Sequence, residues 1–169
     1  MSQPSDLPFP HTVWVCPSAL LAGPYPAARD EAAARAWLRA LLAAGIIVFV
    51  DLTEEGERPP YLETLREEAA HGGWGAVHYR LAIPDFSVPD EAHMAAILDT
   101  IDGAIAAGQP VYVHCLGGVG RTGTVVGCYL VRHGANGEEA LRRVTALLGE
   151  GSPETEAQRR FVRRWTEGR

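Results

Sequence analysis

Short apolar segments alternate with longer helical segments along most of the chain, and this alternation limits the folds open to it. The segment IIVFVDL at 46–52 is almost continuously apolar, as expected of a strand covered on both faces of its sheet. The segment VYVH at 111–114 has the same character. Such strands separated by helices predict an α/β fold of three layers, with a central, mostly parallel sheet of four to five strands flanked by helices.

The elements follow from hydrophobic periodicity and from the glycines and prolines that end them. We predict strands at 12–16, 21–26, 46–52, 76–83 and 111–114, and helices at 30–44, 60–71, 89–107, 122–133, 138–148 and 154–165. The strand at 111–114 is expected at the centre of the sheet. The chain has 169 residues, 47% of them hydrophobic, which predicts a single domain over 1–169 with an irregular N-terminal segment at 1–11.

Charge and hydropathy exclude several classes of partner. The formal net charge of −6 comes without the clustered positive charge that nucleic acids and anionic membranes attract, so neither is expected as a partner. The first ten residues, MSQPSDLPFP, lack the basic start and apolar core of a secretory signal. No apolar run reaches the roughly 18 to 20 residues of a membrane helix. We therefore expect a cytoplasmic protein, and a monomer.

The strand at 111–114 ends at a cysteine and leads into a glycine-rich loop that opens a helix. Ligands of α/β sheets bind beyond the carboxyl ends of the strands. Backbone without Cβ atoms can turn its N–H groups inward, and these groups and the helix dipole both favour an anion. The predicted phosphate-binding residues are Leu116, Gly117, Gly118, Val119, Gly120 and Arg121.

The same loop favours ionisation of the thiol of Cys115. Helix N-termini and nearby cations stabilise a thiolate, so we expect Cys115 to be an activated nucleophile. The planar guanidinium of Arg121 can bind two oxygens of a tetrahedral dianion. The hydroxyl of Thr122 is expected to donate to the thiolate when that thiolate is the leaving group of a second step.

Other interpretations of the loop are weaker. Residues 118–123 fit the dinucleotide pattern G-x-G-x-x-G, but that site needs a second strand with an acidic residue about 20 positions on, and Glu138 lies in a predicted helix. A mononucleotide P-loop requires a lysine, and the chain contains none. A structural turn with a buried cysteine, and a noncatalytic phosphate-binding module, are the remaining alternatives.

The sequence HCLGGVGRTG resembles the His-Cys-x5-Arg-Ser/Thr-Gly signature of cysteine-based protein phosphatases, specifically the small atypical dual-specificity and tyrosine phosphatases. IPDFSVPD at 83–90 resembles the general-acid loop of that family, and SPETEAQRRFV at 152–162 resembles its C-terminal helix. The resemblance is close over 76–165. Over 1–75 it is looser and rests on WVCPSALLAGPYP and VFVDLTEEGE.

The resemblance implies a phosphatase fold and a phosphomonoester hydrolase that requires no metal and no cofactor. Cys115 would attack phosphorus to give a phosphocysteine, an acid would protonate the departing oxygen, and water would release phosphate. The segment LGGVG has no cationic side chain, and the chain is acidic, so phosphotyrosine on a protein or peptide is the first choice of substrate. Phosphoserine or phosphothreonine, a small phosphorylated metabolite and an inositol phosphate are the alternatives.

Three further residues are assigned with the help of the resemblance. Asp85 is the expected general acid, whereas Asp90 stands directly before a helix, where a carboxylate most simply acts as the N-cap. His114 is expected to face away from the nucleophile and to hydrogen-bond loop backbone. Gln158 either orients the hydrolytic water, as a glutamine does in some relatives, or is an exposed helical residue.

The remaining candidates receive structural interpretations. Cys128 is expected to be packed and Cys16 to be a strand residue, with a disulfide from either to an oxidised Cys115 as the alternative. The six histidines show no spacing typical of a zinc site. The acidic segment after the strand at 46–52 is interpreted as a solvated loop rather than the rim of the pocket; it contains Glu54, Glu55, Glu57 and Arg58.

Overall fold

The structure is a computed structural model that describes residues 7–166, so residues 1–6 of the predicted irregular segment lie outside the described residues. The strands within this range are β1 (Val13–Cys16), β2 (Leu20–Gly23), β3 (Val48–Asp51), β4 (Val77–Arg80) and β5 (Val111–His114). The helices are α1 (Glu31–Ala43), α2 (Leu62–Gly72), α3 (Glu91–Ala106), α4 (Gly120–Arg132), α5 (Gly137–Leu148) and α6 (Glu156–Arg164). The predicted alternation of strands and helices is confirmed.

The strands form one sheet in the order β1-β2-β5-β3-β4. Only β1 runs antiparallel to its neighbour; the other pairs are parallel. The central position of β5 is therefore confirmed. Asp51 pairs in register with both His114 and Arg80, so β3, β4 and β5 end at the same edge of the sheet and the loops that follow them meet there.

Helices cover both faces of the sheet, as a three-layer fold requires. On one face, Val50 and Val113 belong to a core that includes apolar residues of α3, α4, α5 and α6. On the other face, Phe49 and Tyr112 belong to a core with Leu38 of α1 and Leu65 of α2. Alternate residues of one strand thus enter different cores, which is why the central strands are apolar throughout.

Several element boundaries differ from prediction, and two of these differences affect the site. The fourth strand ends at Arg80 rather than at 83, but its backbone stays bonded to β3, since Leu81 N donates to Asp51 O at 2.9 Å and Ile83 N donates to Leu52 O at 3.0 Å. The fourth helix begins at Gly120, two residues before the prediction. Glycine has a low helix propensity, so the sequence suggested a loop where the first helical turn already lies.

No helix of the described chain combines the length and the apolar character needed to cross a membrane.

Candidate active site

The nucleophile candidate Cys115 directly follows the central strand and is buried in the core. Its Sγ atom accepts a hydrogen bond from the backbone N–H of Gly118 at 3.3 Å. The loop is also fixed from outside, because Tyr25 N donates to Leu116 O at 3.0 Å. The predicted phosphate-binding residues 116–121 therefore form a compact loop beside the thiol, at the N-terminus of α4.

Gly118 gives the loop its curvature. Its φ of 73° is left-handed, a region that residues with a Cβ rarely adopt. A Cβ at this position would also lie 2.5 Å from the carbonyl carbon of Gly23. The backbone can present the Gly118 N–H to Cys115 because this residue has no side chain.

Arg121 lies in the first turn of α4 and is 1% exposed. Its Nη1 donates to the carbonyls of Leu52 and Ile83, at 3.4 and 3.0 Å. Its Nη2 and Nη1 also bind the two carboxylate oxygens of Glu57 at 2.5 and 2.9 Å. The Nε atom is buried without a hydrogen-bond partner among the described residues. The guanidinium is held by its outer end, and its Nε edge is left to bind an anion.

Glu57 is the main correction to the sequence interpretation, which assigned it to a solvated loop. Its side chain is 17% exposed and forms the bidentate pair with Arg121. The hydrogen bond from Arg121 holds the pKa of Glu57 below its ordinary value. Glu54 and Glu55, by contrast, are exposed as predicted. No spacing in the sequence distinguishes these three glutamates, because the path of the loop decides which one turns inward.

The loop after β4 carries the expected general acid to the same place. Asp85 Oδ1 lies 3.3 Å from Arg121 Nη2, and the side chain of Asp85 is 40% exposed. Asp90 accepts a hydrogen bond from His93 N at 2.7 Å and is the N-cap of α3. Asp85 is thus the carboxylate that reaches the loop, and Asp90 has the capping position predicted for it.

His114 is fully buried and bonds the loop backbone, in the manner expected from the sequence. Its Nδ1 lies 3.0 Å from Cys115 O, and its Nε2 lies 2.6 Å from the hydroxyl of Tyr61. Burial lowers the pKa of His114 to about 4, so the ring is neutral. A carbonyl only accepts hydrogen bonds, so Nδ1 carries the proton and Tyr61 donates to Nε2. Sequence reasoning missed Tyr61.

Two assigned residues have surroundings that the sequence did not indicate. The hydroxyl of Thr122 is buried, next to Arg121 in the chain, and has no hydrogen-bond partner in the part of the chain that the structure describes. Gln158 is fully buried, which makes the exposed-residue alternative wrong. Its Oε1 accepts from the amides of Glu154 and Thr155, each at 3.0 Å, and its Nε2 donates to Ser87 O at 3.3 Å. It caps α6 and joins that helix to the Asp85 loop.

The other two cysteines lie away from the loop. Cys16 pairs with Leu20, which pairs with Val111, four residues before Cys115. Four residues of strand span about 13 Å, whereas the Cα atoms of a disulfide lie within about 7 Å. Cys16 therefore cannot bond Cys115 in this fold. Cys128 is buried two turns into α4, and burial raises its pKa. All three are free thiols.

The site as a whole contains one thiol, one guanidinium, loop amides and two carboxylates. Across residues 7–166, no group of three or more His, Cys, Asp or Glu side chains has the arrangement of a metal site. This arrangement can bind a tetrahedral dianion, attack it with sulfur and exchange a proton with the leaving oxygen.

A family model described as "Polymorphic toxin system, DSP-PTPase phosphatase" matches residues 26–135. Dual specificity protein phosphatase CDC14B of Mus musculus is 45% identical over 62 residues, which cover 35% of this chain and 12% of that protein. The uncharacterized protein MJECL20 of Methanocaldococcus jannaschii is 38% identical over 81 residues, which cover 47% of this chain and 53% of that protein. The alignments thus span about half or less of these curated relatives.

Solved structures resemble nearly the whole chain. Tk-PTP in its active form superposes with a TM-score of 0.76 and 26% identity, over 94% of this chain and 98% of that chain. Kinase associated phosphatase (KAP) superposes with a TM-score of 0.78 and 18% identity, over 93% of each chain, and supports the fold alone. The family match contains Cys115, Arg121 and Asp85, the residues that the geometry brings together.

Proposed function

The chain belongs to the DSP-PTPase phosphatase family described from polymorphic toxin systems, and we propose that it hydrolyses phosphate monoesters with Cys115 as the nucleophile. One observation carries the proposal. The Cys115 thiol accepts a hydrogen bond from a backbone N–H of the loop. Beside it lies the buried guanidinium of Arg121, whose Nε has no hydrogen-bond partner among residues 7–166. A phosphate dianion supplies the acceptors that this edge of Arg121 lacks.

In the first step the Cys115 thiolate attacks phosphorus in line with the ester oxygen. The S–P bond forms and the P–O bond to the leaving group breaks. The departing oxygen takes a proton from Asp85, whose carboxyl lies beside Arg121. Loop amides and Arg121 neutralise the three equatorial oxygens. The product is a phosphocysteine and a free alcohol or phenol.

In the second step water attacks the phosphorus of the phosphocysteine. Asp85, now a carboxylate, accepts a proton from this water, and the P–S bond breaks to release inorganic phosphate. The hydroxyl of Thr122, buried and without a partner in the described chain, donates to the thiolate as it departs. Both catalytic groups return to their initial protonation states, so no metal or oxidant is consumed.

Phosphotyrosine on a protein or peptide is the substrate class we propose. Arg121 forms ion pairs with the carboxylates of Glu57 and Asp85, and these negative charges disfavour a polyanion. Phe86, 59% exposed, follows Asp85 and offers an apolar surface to an aryl group. Inositol phosphates and phosphorylated metabolites are the alternatives, and action as a cytoplasmic monomer stays a prediction.

The proposal is tested by hydrolysis of p-nitrophenyl phosphate in EDTA, followed by a screen of phosphopeptides, inositol phosphates and nucleotides. The wild-type protein should turn over without metal, and Cys115→Ser should abolish turnover while vanadate still binds. Cys16→Ser, far from the loop, should retain wild-type activity. Activity that needs added metal, or that survives Cys115→Ser, would rule out the cysteine mechanism.

The general acid is tested by comparing two aspartates on one loop. Asp85→Asn should lower kcat on phenyl phosphate by about 100-fold or more and remove the limb of the pH profile that reports the protonated acid. Asp90→Asn should lower thermal stability slightly, through the cap of α3, and leave kcat near the wild-type value. The reverse result would assign the acid to Asp90.

A further inference from the structure

Asp51 is a fully buried carboxylate that the mechanism above does not use. It is the last residue of β3, and its side chain accepts four hydrogen bonds or ion pairs. Thr53 N and Thr53 Oγ1 donate to Oδ1 at 2.9 and 2.6 Å. His78 Nε2 and Arg80 Nη2 lie 3.1 and 3.4 Å from Oδ2. Placing a carboxylate in a protein interior is costly, so its partners identify what it holds in place.

These partners belong to the ends of three adjacent strands. Thr53 opens the loop from β3 to Glu57, and His78 and Arg80 lie on β4, which leads to Asp85. On β5, His114 Nε2 lies 3.9 Å from Asp51 Oδ1, and the same ring bonds the carbonyl of Cys115. One carboxylate therefore bonds residues at the start of the loops to Glu57 and Asp85 and lies close to the ring that bonds the loop at Cys115.

The charge of Asp51 is retained despite its burial. Burial alone would raise its pKa, but the hydrogen bonds from His78 and Thr53 outweigh that effect and hold the pKa below the ordinary value. The side chain is thus an acceptor at all four contacts. An amide in its place would present N–H groups to donors on one side.

We propose that Asp51 is a positioning residue that fixes the Asp85 loop relative to the nucleophile, an inference that rests on the proposed function. The connection is short. Asp51 holds Arg80 by its side chain and Leu81 N by its carbonyl, and Ile83, three residues after Arg80, accepts a hydrogen bond from Arg121. Asp85 follows two residues later. Releasing the end of β4 displaces the acid while Cys115 keeps its own loop contacts.

The test is Asp51→Asn, which keeps the size of the side chain and removes its charge. A misplaced acid harms a poor leaving group more than a good one, because nitrophenolate departs with little need of a proton. We expect kcat on phenyl phosphate to fall about tenfold or more and kcat on p-nitrophenyl phosphate to fall less than about threefold. The ratio of the two rates is the readout, since loss of folded protein lowers both rates equally.

Glu68→Gln is the matched control. Glu68 is also a buried carboxylate with two arginine partners, Arg35 at 3.1 Å and Arg39 at 2.9 Å, but it lies on α2 and its partners lie on α1, away from the site. Its substitution should lower thermal stability without changing the ratio of the two rates. If Asp51→Asn does not fold, His78→Phe takes its place, because it keeps the aromatic ring and removes one donor to Asp51.

The outcomes separate the two proposals. A wild-type protein without turnover, or an active Cys115→Ser, would end the proposed function itself. An active wild-type protein whose Asp51→Asn or His78→Phe variant loses activity equally on both substrates, or loses none, would overturn the role of Asp51. A selective loss on phenyl phosphate, absent in Glu68→Gln, supports it.

Discussion

Among single residues, Gly118 is the loop position where a side chain is tolerated least. Its φ is left-handed, and a Cβ would lie 2.5 Å from Gly23 backbone. A left-handed residue with a Cβ costs roughly 1 to 2 kcal/mol before any collision. We expect Gly118→Ala to lower kcat/KM at least about tenfold, because the strain moves the backbone N–H that donates a hydrogen bond to Cys115.

Gly117→Ala is the control for this prediction. A Cβ at Gly117 meets its nearest neighbour, the side chain of Val119, at 3.9 Å, an ordinary contact. Steady-state kinetics on p-nitrophenyl phosphate should therefore show less than about a threefold change. Equal losses in the two variants would mean that the loop does not depend on the conformation of Gly118.

Sequence reasoning found the residues of the site that lie in one contiguous pattern. Cys115 and Arg121 belong to one contiguous motif. Asp85 was assigned because residues 83–90 resemble the general-acid loop of a known phosphatase family. Glu57 was assigned to a solvated loop and Tyr61 was missed, because both residues reach the site from an irregular segment. Which side chain of such a segment turns inward depends on its tertiary contacts, and local propensity does not encode them.

At the scale of elements, the close approach of α4 and α6 depends on Gly127. A Cβ on this helical glycine would lie 2.7 and 2.8 Å from the two methyl groups of Val162. Overpacking of this kind costs about 1 to 3 kcal/mol. We expect Gly127→Ala to lower the free energy of unfolding in urea by up to about 2 kcal/mol, because the gain of alanine over glycine in a helix, about 0.5 to 1 kcal/mol, offsets part of this cost. The double variant Gly127→Ala/Val162→Ala should be more stable than the sum of the two single changes predicts.

A glycine on α3 provides the comparison. Gly103 is exposed, and a Cβ there has no neighbour within 4 Å. Gly103→Ala should raise the free energy of unfolding by about 0.5 to 1 kcal/mol, as expected for alanine in a helix. If the effects of Gly127→Ala and Val162→Ala on the free energy of unfolding simply add, α4 and α6 do not depend on a close approach at this point.

The elements themselves were largely predictable, since periodicity and turn residues give their number and order. Their ends were less so. Residues 81–83 remain bonded to the end of β3 although β4 ends at Arg80, and the first turn of α4 begins with a glycine. The predicted strand therefore ends three residues late, and the predicted helix begins two residues late. These two boundaries are where the chain leaves regular structure to form the site.

At the scale of the whole molecule, His114 couples stability to pH. The folded protein holds its pKa at about 4, below the 6.5 of a free histidine. Between these values the unfolded chain binds one more proton than the folded protein. The contribution of the neutral His114 ring to the free energy of unfolding is therefore complete above pH 6.5 and is lost as the pH falls towards 4. The loss is on the order of 3 kcal/mol.

Urea unfolding measured from pH 7 to pH 4 checks this expectation. Asp51 and Glu57 also have lowered pKa values, but their contributions decline only below their ordinary values of 3.8 and 4.5. His114→Gln should therefore flatten the slope between pH 4.5 and 6.5, whereas His71→Gln, at an exposed site on α2, should keep it. A wild-type protein of constant stability over this range would contradict a buried neutral ring.

The strand order has a consequence for how the protein is made. In the described sheet β2 and β3 do not touch each other; each pairs with β5, which the ribosome supplies about 60 residues after β3. Until then the nascent chain holds two separate units, the β1–β2 hairpin and the parallel β3–α2–β4 unit, whose unpaired strand edges are the kind of surface that chaperones protect. Cys115, the proposed nucleophile, is synthesised immediately after the strand that joins these two units, so the proposed activity is absent until the sheet can be completed.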